Sequence, residues 1–259
     1  MKVKFWKMSG AGNDFIMLDA KPAGRSGPAM ARALCDRRRS IGADGLLILT
    51  RRKGRIRLDY WNADGSSAFC GNGSRCAALW AKANGWMKGN NIIIETSRGP
   101  LQARLTAKGR AEVVMPAPKG LRLGLKLKVL NQNVQAHFVD TGVPHAVVFV
   151  PDITKMEVKD LGRVIRFDKV FGKPGANVDF VQLHKNKIFL RTYERGVEDE
   201  TLACGTGVMA AAFVARVLGH GGSPMSVVTR SGDRLSVSFD SSARLEGPGR
   251  ITFAGEVDL

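Results

Sequence analysis

Two short stretches of the sequence place a cysteine directly before a glycine-rich turn and an apolar run. The first is CGNGSRCAALW at residues 70–80, and the second is CGTGVMAAAF at residues 204–213. Each stretch predicts a buried helix that begins just after its cysteine. Free backbone N–H groups and the helix dipole favour negative charge at such a position. We therefore expect them to lower the pKa of each thiol and to hold an anion.

A pair of thiols of this kind could invert the configuration of a carbon atom next to a carboxylate. One cysteine, as a thiolate, would remove the proton, and the other, as a thiol, would deliver a proton to the opposite face. The two helix N-termini would stabilise the carboxylate as it becomes enolate-like. The sequence shows no pyridoxal lysine motif, no metal-ligand spacing and no dinucleotide fingerprint, so we expect no cofactor and no metal.

The other two cysteines, Cys35 and Cys76, are interpreted as structural, because neither recurs in the second half of the chain. Four cysteines in a chain of this length are too few for a disulfide framework, which indicates a reducing compartment. A thiol redox sensor, in which Cys70 and Cys204 form a disulfide, is an alternative function from another class.

The sequence matches itself when it is shifted by 132 to 134 positions. The shift aligns four pairs of segments, one of which contains the two cysteine motifs, and this predicts two copies of one unit. Each copy reads as short strands with two helices, the second of them apolar on almost every side. We therefore predict an α+β fold of two pseudosymmetric lobes, each a curved, mainly antiparallel sheet around a central helix.

The predicted lobes comprise residues 1–117, which carry Cys70, and residues 118–259, which carry Cys204. The last strand is a candidate for packing on the first lobe. The predicted helices are residues 28–39, 73–85, 158–168 and 206–222.

The charge of the chain bears on its choice of partner, which could be a nucleic acid or a small anionic substrate. The 259 residues carry a formal net charge of +17, with basic runs at residues 37–39, 51–55 and 119–128. Nucleic-acid binding is therefore a rival hypothesis. The basic residues are scattered over both halves without a known nucleic-acid motif, which favours a basic surface that attracts small anionic substrates. We expect no specific nucleic-acid partner, no membrane association and a cytoplasmic location, since no apolar stretch is long enough for a signal peptide or a spanning helix.

Five motifs, in order, make the sequence resemble the diaminopimelate epimerase family: MSGAGNDFIMLD, WNADGSSAFCGNGSRC, GVPHAVVF, ANVDF and YERGVEDETLACGTG. The resemblance extends from about residue 5 to residue 255. It implies an isomerase that interconverts LL- and meso-diaminopimelate without a cofactor, in the synthesis of lysine and peptidoglycan precursors. It also implies two lobes that close over the substrate, and a homodimer.

The resemblance further implies a role for individual residues. Cys70 and Cys204 would be the two acid/base thiols, and His145 and Glu194 would tune or relay their protons. The substrate would be held by side chains that recognise its amino and carboxylate groups and by backbone N–H donors to the reacting carboxylate: Asn13, Asn62, Asn177 and Arg195, with Gly71, Asn72, Gly205 and Thr206.

The residues alone leave other interpretations open. Asn13 and Asn62 precede turn-forming residues, and Glu194 with Arg195 is also compatible with a surface ion pair. A sister enzyme on the same architecture, acting on proline or hydroxyproline, is the closest alternative within the isomerases. One departure from the family is Val143, where many members have asparagine.

Overall fold

The computed structural model describes residues 1–52, 55–67, 69–130, 132–185 and 187–259. Lys53 and Gly54, which belong to the basic run at residues 51–55, lie outside the described residues, as does Ala68 of the second motif. Within the described ranges, no helix is both long and apolar enough to cross a membrane.

The described residues form helices and strands that alternate in a similar order in the two halves of the chain. The helices are α1 (Gly27–Leu34), α2 (Gly71–Ala83), α3 (Val158–Arg166) and α4 (Gly205–Val217). The strands are β1 (Lys2–Gly10), β2 (Asn13–Leu18), β3 (Gly45–Arg52), β4 (Arg55–Asn62), β5 (Asn91–Thr96), β6 (Gly99–Ala107), β7 (Arg110–Val114), β8 (Lys119–Val129), β9 (Gln132–Asp140), β10 (Pro144–Phe149), β11 (Asn177–His184), β12 (Lys187–Glu194), β13 (Asp199–Thr201), β14 (Met225–Val228), β15 (Arg234–Ser238), β16 (Arg244–Pro248) and β17 (Arg250–Asp258). Short 3-10 turns lie at Ile153–Lys155 and Lys169–Phe171.

The chain forms two compact units. The first comprises Met1–Val114 and Glu246–Leu259, and the second comprises Met115–Leu245. The sequence-based division after residue 117 differs from this one at Met115–Ala117 and at the final segment. That segment ends in β17, whose residues pair with β1 from Lys2 to Ser9.

The two units have the same order and directions of strands over seven positions, from β17 to β6 in the first unit and from β8 to β15 in the second. In the first unit the order is β17, β1, β2, β3, β4, β5, β6 and β7, and only the β2–β3 and β4–β5 pairs are parallel. In the second unit the order is β8, β9, β10, β11, β12, β14 and β15, and only the β10–β11 and β12–β14 pairs are parallel. The duplication predicted from the sequence is therefore confirmed in the topology.

A buried helix lies inside each sheet. The helix α2 packs against β1, β2, β3, β4, β6, β7 and β17, and α4 packs against β9, β10, β11, β12, β14 and β15. Residues Gly71–Ala78 of α2 are all buried, and so are Gly207–Ala212 of α4. A helix surrounded by strands has no solvent-facing side in its first turns, which explains the apolar composition seen in the sequence. The predicted α+β fold class is confirmed.

The predicted end of α2 was correct to within two residues, but α3 and α4 were predicted too long, because they end at Arg166 and Val217 rather than at residues 168 and 222. The helix α2 ends at the Asn84-Gly85 pair, and Gly85 has a φ of 71°. The first helix was predicted too long, because α1 ends at Leu34 rather than at residue 39. Asp36 accounts for the difference, since its carboxylate accepts the backbone N–H groups of Arg38 and Arg39 at 2.8 and 3.0 Å and holds a turn instead.

Candidate active site

Cys70 is the N-cap of α2. Its backbone is extended, with φ −131° and ψ 105°, and its Sγ accepts the backbone N–H of Gly73 at 3.3 Å. The side chain is half-buried. The Ser74 hydroxyl donates to the carbonyl of Cys70 at 2.9 Å, which fixes the entry into the helix. The first N–H groups of the helix, those of Gly71 and Asn72, have no acceptor within the helix and are available to an anion.

A chain of hydrogen bonds orients the side-chain amides next to Cys70. Arg75, which is fully buried, donates to Asn72 Oδ1 at 2.8 Å, and Asn72 Nδ2 donates to Asn13 Oδ1 at 2.6 Å. Asn13 Nδ2 then donates to Asp44 Oδ2 at 3.0 Å. Because the guanidinium only donates and the carboxylate only accepts, the direction of both amides is determined.

Charged groups anchor the acceptor end of this chain. Asp14 is held by Lys7 at 2.7 Å and by Arg37 at 2.6 Å, and Arg37 also contacts Asp44 at 2.7 Å. Burial alone would raise the pKa of Asp14, but the hydrogen bonds from Arg37 and Lys7 outweigh it and lower that pKa to about 2. The carboxylate of Asp14 therefore stays ionised at neutral pH.

Asn62 is the last residue of β4 and begins a turn, since its carbonyl accepts the backbone N–H of Gly65 at 2.8 Å. Its Oδ1 accepts the Tyr60 hydroxyl at 2.7 Å, and its Nδ2 donates to the Ser66 hydroxyl at 2.9 Å. Its backbone N–H also bonds the Ser66 carbonyl at 2.8 Å. Among the side-chain hydrogen bonds found in the described ranges, none joins Asn62 to Asn13 or Asn72. The turn-forming interpretation of Asn62 is the one observed, and its role in binding stays a prediction.

Cys204 is the N-cap of α4 and is only 7% exposed. Its backbone is extended, with φ −121° and ψ 111°, and its Sγ lies 3.3 Å from Thr206 Oγ1. Burial, followed by the charges of Glu194 and Asp179, raises the pKa of the Cys204 thiol well above its ordinary value, although the contacts with Thr206 and Gly207 act in the opposite direction. The expectation that the helix N-terminus lowers this pKa was therefore wrong, because loss of water around the sulfur is the larger effect.

His145 is joined to the Cys204 region by buried polar contacts. Its Nδ1 lies 2.7 Å from Asp179 Oδ2, with both side chains inaccessible to solvent, and its Nε2 lies 2.9 Å from Thr206 Oγ1. Strand register explains the arrangement: His145 of β10 is opposite Asn177 of β11, and Asp179 of β11 is opposite Thr192 of β12. Asn177 and Asp179 are two residues apart and so face the same side of the sheet.

The remaining predicted residues of the second unit lie around this histidine. Asn177 Nδ2 lies 3.3 Å from His145 Nε2, and Asn177 Oδ1 accepts the backbone N–H of Arg195 at 2.8 Å. Glu194, at the end of β12, accepts the Thr201 hydroxyl at 2.9 Å. The structure thus brings His145, Asn177 and Thr206 into direct contact, and Arg195 joins them through its backbone.

Equivalent positions of the two copies make equivalent contacts with different side chains. Asn13 corresponds to His145 and Asn72 corresponds to Thr206 when the sequence is shifted as above. In the first unit the contact is amide to amide at 2.6 Å, and in the second it is hydroxyl to imidazole at 2.9 Å. The first pair cannot titrate, whereas the second contains a histidine.

The sequence model of the family described as diaminopimelate epimerase matches residues 5–119 and 137–247. A diaminopimelate epimerase of Aquifex aeolicus (strain VF5) is 39% identical over 257 residues, which cover 93% of this chain and 92% of that protein. A diaminopimelate epimerase of Methanocella arvoryzae is 40% identical over 275 residues, which cover 100% of this chain and 98% of that protein. The chain belongs to the diaminopimelate epimerase family.

Solved structures support the fold of this family member. A phenazine biosynthesis protein of the PhzF family from Bacillus anthracis superposes with a TM-score of 0.79 at 14% identity, covering 100% of both chains. A probable proline racemase from Agrobacterium radiobacter K84 superposes with a TM-score of 0.75 at 15% identity, covering 99% of this chain and 93% of that one. At these identities the likeness concerns the fold alone.

Sequence reasoning missed several residues that support the site in this family member. Asp44, Arg75 and Asp179 hydrogen-bond predicted residues directly, and Thr192 donates to Asp179. Asp179 offered a signal, because it stands two positions after Asn177 in the motif ANVDF and so shares its face of the strand. In the part of the chain that the structure describes, no group of three or more His, Cys, Asp or Glu side chains is arranged to hold a metal ion.

Proposed function

We propose that the chain interconverts LL- and meso-diaminopimelate by proton transfer between the α-carbon of the substrate and the thiols of Cys70 and Cys204, without a cofactor. The observation that carries the proposal is the position of both cysteines as N-caps of the buried helices α2 and α4. Relatives that match almost the full chain are named diaminopimelate epimerases, which supports the choice of substrate.

In the proposed reaction, the thiolate of one cysteine takes the α-proton, and the electron pair of the broken C–H bond moves towards the carboxylate. The thiol of the other cysteine then gives its proton to the opposite face of the carbon, and its sulfur keeps the electron pair of the S–H bond. The reverse reaction exchanges the two roles. The mechanism therefore requires that the two sulfurs approach one carbon from opposite sides.

The backbone N–H groups at the two helix N-termini would stabilise the carboxylate while it carries the additional charge. Gly71 and Asn72 offer them in α2, and Gly205 and Thr206 offer them in α4. A donor of this kind is typically worth about 3 to 4 kcal/mol in the transition state, because it is already oriented before charge develops. The rigid, buried setting of both helices provides that orientation.

The side-chain amides proposed to recognise the substrate have further hydrogen-bond donors and acceptors that the contacts described above do not use. In the amides of Asn13 and Asn72, each nitrogen has a second N–H and each oxygen a second lone pair beyond the bonds described above. Asn62 and Asn177 would contribute in the same way, and the guanidinium of Arg195 is a suitable fork for a distal carboxylate. The proposal places the enzyme in the cytoplasm, in lysine and peptidoglycan precursor synthesis, as a homodimer.

The test is proton exchange in D2O. Reduced protein is incubated with LL-diaminopimelate, and NMR follows deuterium at the α-carbon together with the appearance of the meso isomer. We expect both with the wild type. Cys70→Ala and Cys204→Ala should each abolish epimerisation, whereas Cys35→Ala, which removes a thiol from the hydrophobic core, should retain it.

Proline and hydroxyproline serve as control substrates for the sister activities of this architecture, and neither should exchange. Turnover of proline but not of diaminopimelate would replace the proposed substrate. An active Cys70→Ala or Cys204→Ala protein would exclude the two-thiol mechanism. Retention on DNA in a salt-sensitive manner, without any turnover, would favour the nucleic-acid hypothesis.

A further inference from the structure

The carboxylate of Asp179 is fully buried at a position of its strand that is uncharged in the first copy of the fold. At the corresponding place the first copy has the uncharged run Gly45, Leu46 and Leu47. Both Asp179 and His145 are fully inaccessible to solvent, and a buried ion costs several kcal/mol in desolvation. Since the same architecture forms without a charge at this place, folding alone does not explain Asp179.

The first turn of α4 leaves space for the carboxylate of Asp179, because residue 207 is a glycine. A Cβ atom at Gly207 would lie 2.5 Å from Asp179 Oδ1 and 3.3 Å from Thr192 Oγ1. Only a glycine at this position of the first turn leaves room for the carboxylate. The Thr192 hydroxyl donates to Asp179 Oδ1 at 2.7 Å, so Oδ2 is directed at His145 Nδ1.

Two independent contacts determine which nitrogen of His145 carries the proton. The carboxylate of Asp179 only accepts, so Nδ1 donates to it. On the other side, Asn177 Oδ1 accepts the backbone N–H of Arg195, and this orients the NH2 group of Asn177 towards His145 Nε2. An NH2 group only donates, so we assign Nε2 as the accepting nitrogen of the ring.

The direction of the remaining bonds follows. Because Nε2 accepts, the Thr206 hydroxyl donates to it at 2.9 Å. The hydroxyl has only one proton, so Thr206 Oγ1 accepts from the Cys204 sulfur, which lies 3.3 Å away. The bonds therefore run from the Cys204 S–H through Thr206 and His145 to Asp179, and they require a thiol at their beginning.

We propose that Asp179 is a positioning residue that acts through His145 and Thr206 to hold Cys204 as the proton-donating thiol. This inference rests on the proposed function for its catalytic meaning. Besides Asp179 and His145, Glu194 acts on the same sulfur by its charge and also favours the thiol. When Cys204 gives its proton to the substrate carbon, the S–H bond breaks and the Thr206 hydroxyl turns to donate to the thiolate.

The first test needs no substrate. The full chain is labelled with 15N-histidine, and the ring nitrogens of its four histidines are read by NMR at neutral pH. A His145→Gln protein identifies the signals of His145. We expect a neutral ring with the proton on Nδ1, and Asp179→Asn should move the proton to Nε2. A ring protonated on Nε2 or on both nitrogens in the wild type would overturn the inference.

The second test measures the thiol itself. Iodoacetamide labelling of Cys204 is followed by mass spectrometry of its peptide in the absence of substrate. In Asp179→Asn the hydrogen bonds are free to reverse towards sulfur, so we expect labelling on the order of tenfold faster near neutral pH. Asp240→Asn is the matched control, because it makes the same chemical change at an exposed site of the same unit.

A double-mutant cycle separates transmission through Thr206 from simple charge repulsion. In a Thr206→Val background the effect of Asp179→Asn should fall below about threefold, and in a Thr206→Ser background it should persist. An equal effect in all three backgrounds would show that the carboxylate acts through space alone and would overturn the inference. If Asp179→Asn does not fold, the wild-type NMR result and the separate labelling rates of the two Thr206 variants decide.

Activity distinguishes this inference from the proposed function. We expect Asp179→Asn to lose kcat by on the order of 100-fold or more, with KM nearly unchanged, since a misplaced tautomer has effects of this size in other enzymes. If the wild type does not act on diaminopimelate, the proposed function fails. The tautomer and labelling results still decide whether Asp179 holds Cys204 as a thiol.

Discussion

Adding a single methyl group at Gly207 tests the geometry on which the second half of the site depends. The new Cβ of Gly207→Ala would lie 2.5 Å from Asp179 Oδ1. Carbon to oxygen contacts settle at about 3.3 Å or more, so the carboxylate must move by about 0.8 Å. The 2.7 Å bond from His145 Nδ1 would then lengthen to about 3.5 Å, which is beyond a hydrogen bond.

The expected effect on activity is larger than the effect on stability. Overpacking costs about 1 to 3 kcal/mol, but alanine is favoured over glycine within a helix by about 1 kcal/mol. We therefore expect Gly207→Ala to lower the free energy of unfolding by about 0 to 2 kcal/mol. A displacement approaching 1 Å in a catalytic array costs roughly 10- to 100-fold in kcat.

The assay compares kcat and KM for diaminopimelate with urea unfolding of the same preparations. Gly222→Ala is the control, because a Cβ at Gly222 meets no atom within 4 Å. It should match the wild type in both measurements. Full activity of Gly207→Ala with unchanged unfolding would refute the reasoning, since the carboxylate would then not lie against α4 as described.

Two further predictions concern ionisation. The pKa of Asp14 is about 2 when folded and near 3.8 when unfolded, so its ionised form contributes stability that is fully present above pH 3.8 and is lost as the pH falls through 2. We expect a loss of about 2 kcal/mol over that window in urea unfolding, absent in Asp14→Asn; an unchanged pH profile in the variant would contradict this. Burial raises the pKa of Cys35 and Cys76 to about 12, so both should resist iodoacetamide at pH 9 until the protein unfolds. Labelling of either before Cys70 in the native protein would count against that burial.

The fold was predictable because the duplication repeats its hydrophobic pattern. Strands buried on one face give alternating apolar residues in the sequence, and helices buried on all sides give continuous apolar runs. Because both patterns occur twice in the same order, they predicted that the topology is repeated. The end of α1 was not predictable from the same record, since the Asp36 side chain competes locally with helical hydrogen bonds. Such competition depends on a single side-chain rotamer.

The two cysteines were found because each precedes a glycine turn and an apolar helix, a local arrangement that the sequence displays. The raised pKa of Cys204 was not predicted, because it depends on burial and on the charges of Glu194 and Asp179, which lie on the strands β12 and β11. The N-terminus of a helix can be predicted from the sequence, whereas the loss of water around the Cys204 sulfur depends on which strands surround it. For the same reason the supporting contact between Asp179 and Thr192 required the register of β11 and β12.

A reaction that uses one thiol and one thiolate sets a particular problem for a duplicated protein. Two cysteines at equivalent helix N-termini begin with the same surroundings and would ionise alike, yet a pair of thiols lacks a base and a pair of thiolates lacks an acid. The copies differ where this matters: Asn13 and Asn72 form an amide contact that cannot titrate, and His145 and Thr206 replace it in the second copy. In the second copy, the charges of Glu194 and Asp179 also disfavour a thiolate at Cys204. Divergence at these few side chains, rather than any difference in fold, would then hold Cys204 as the thiol of the proposed pair.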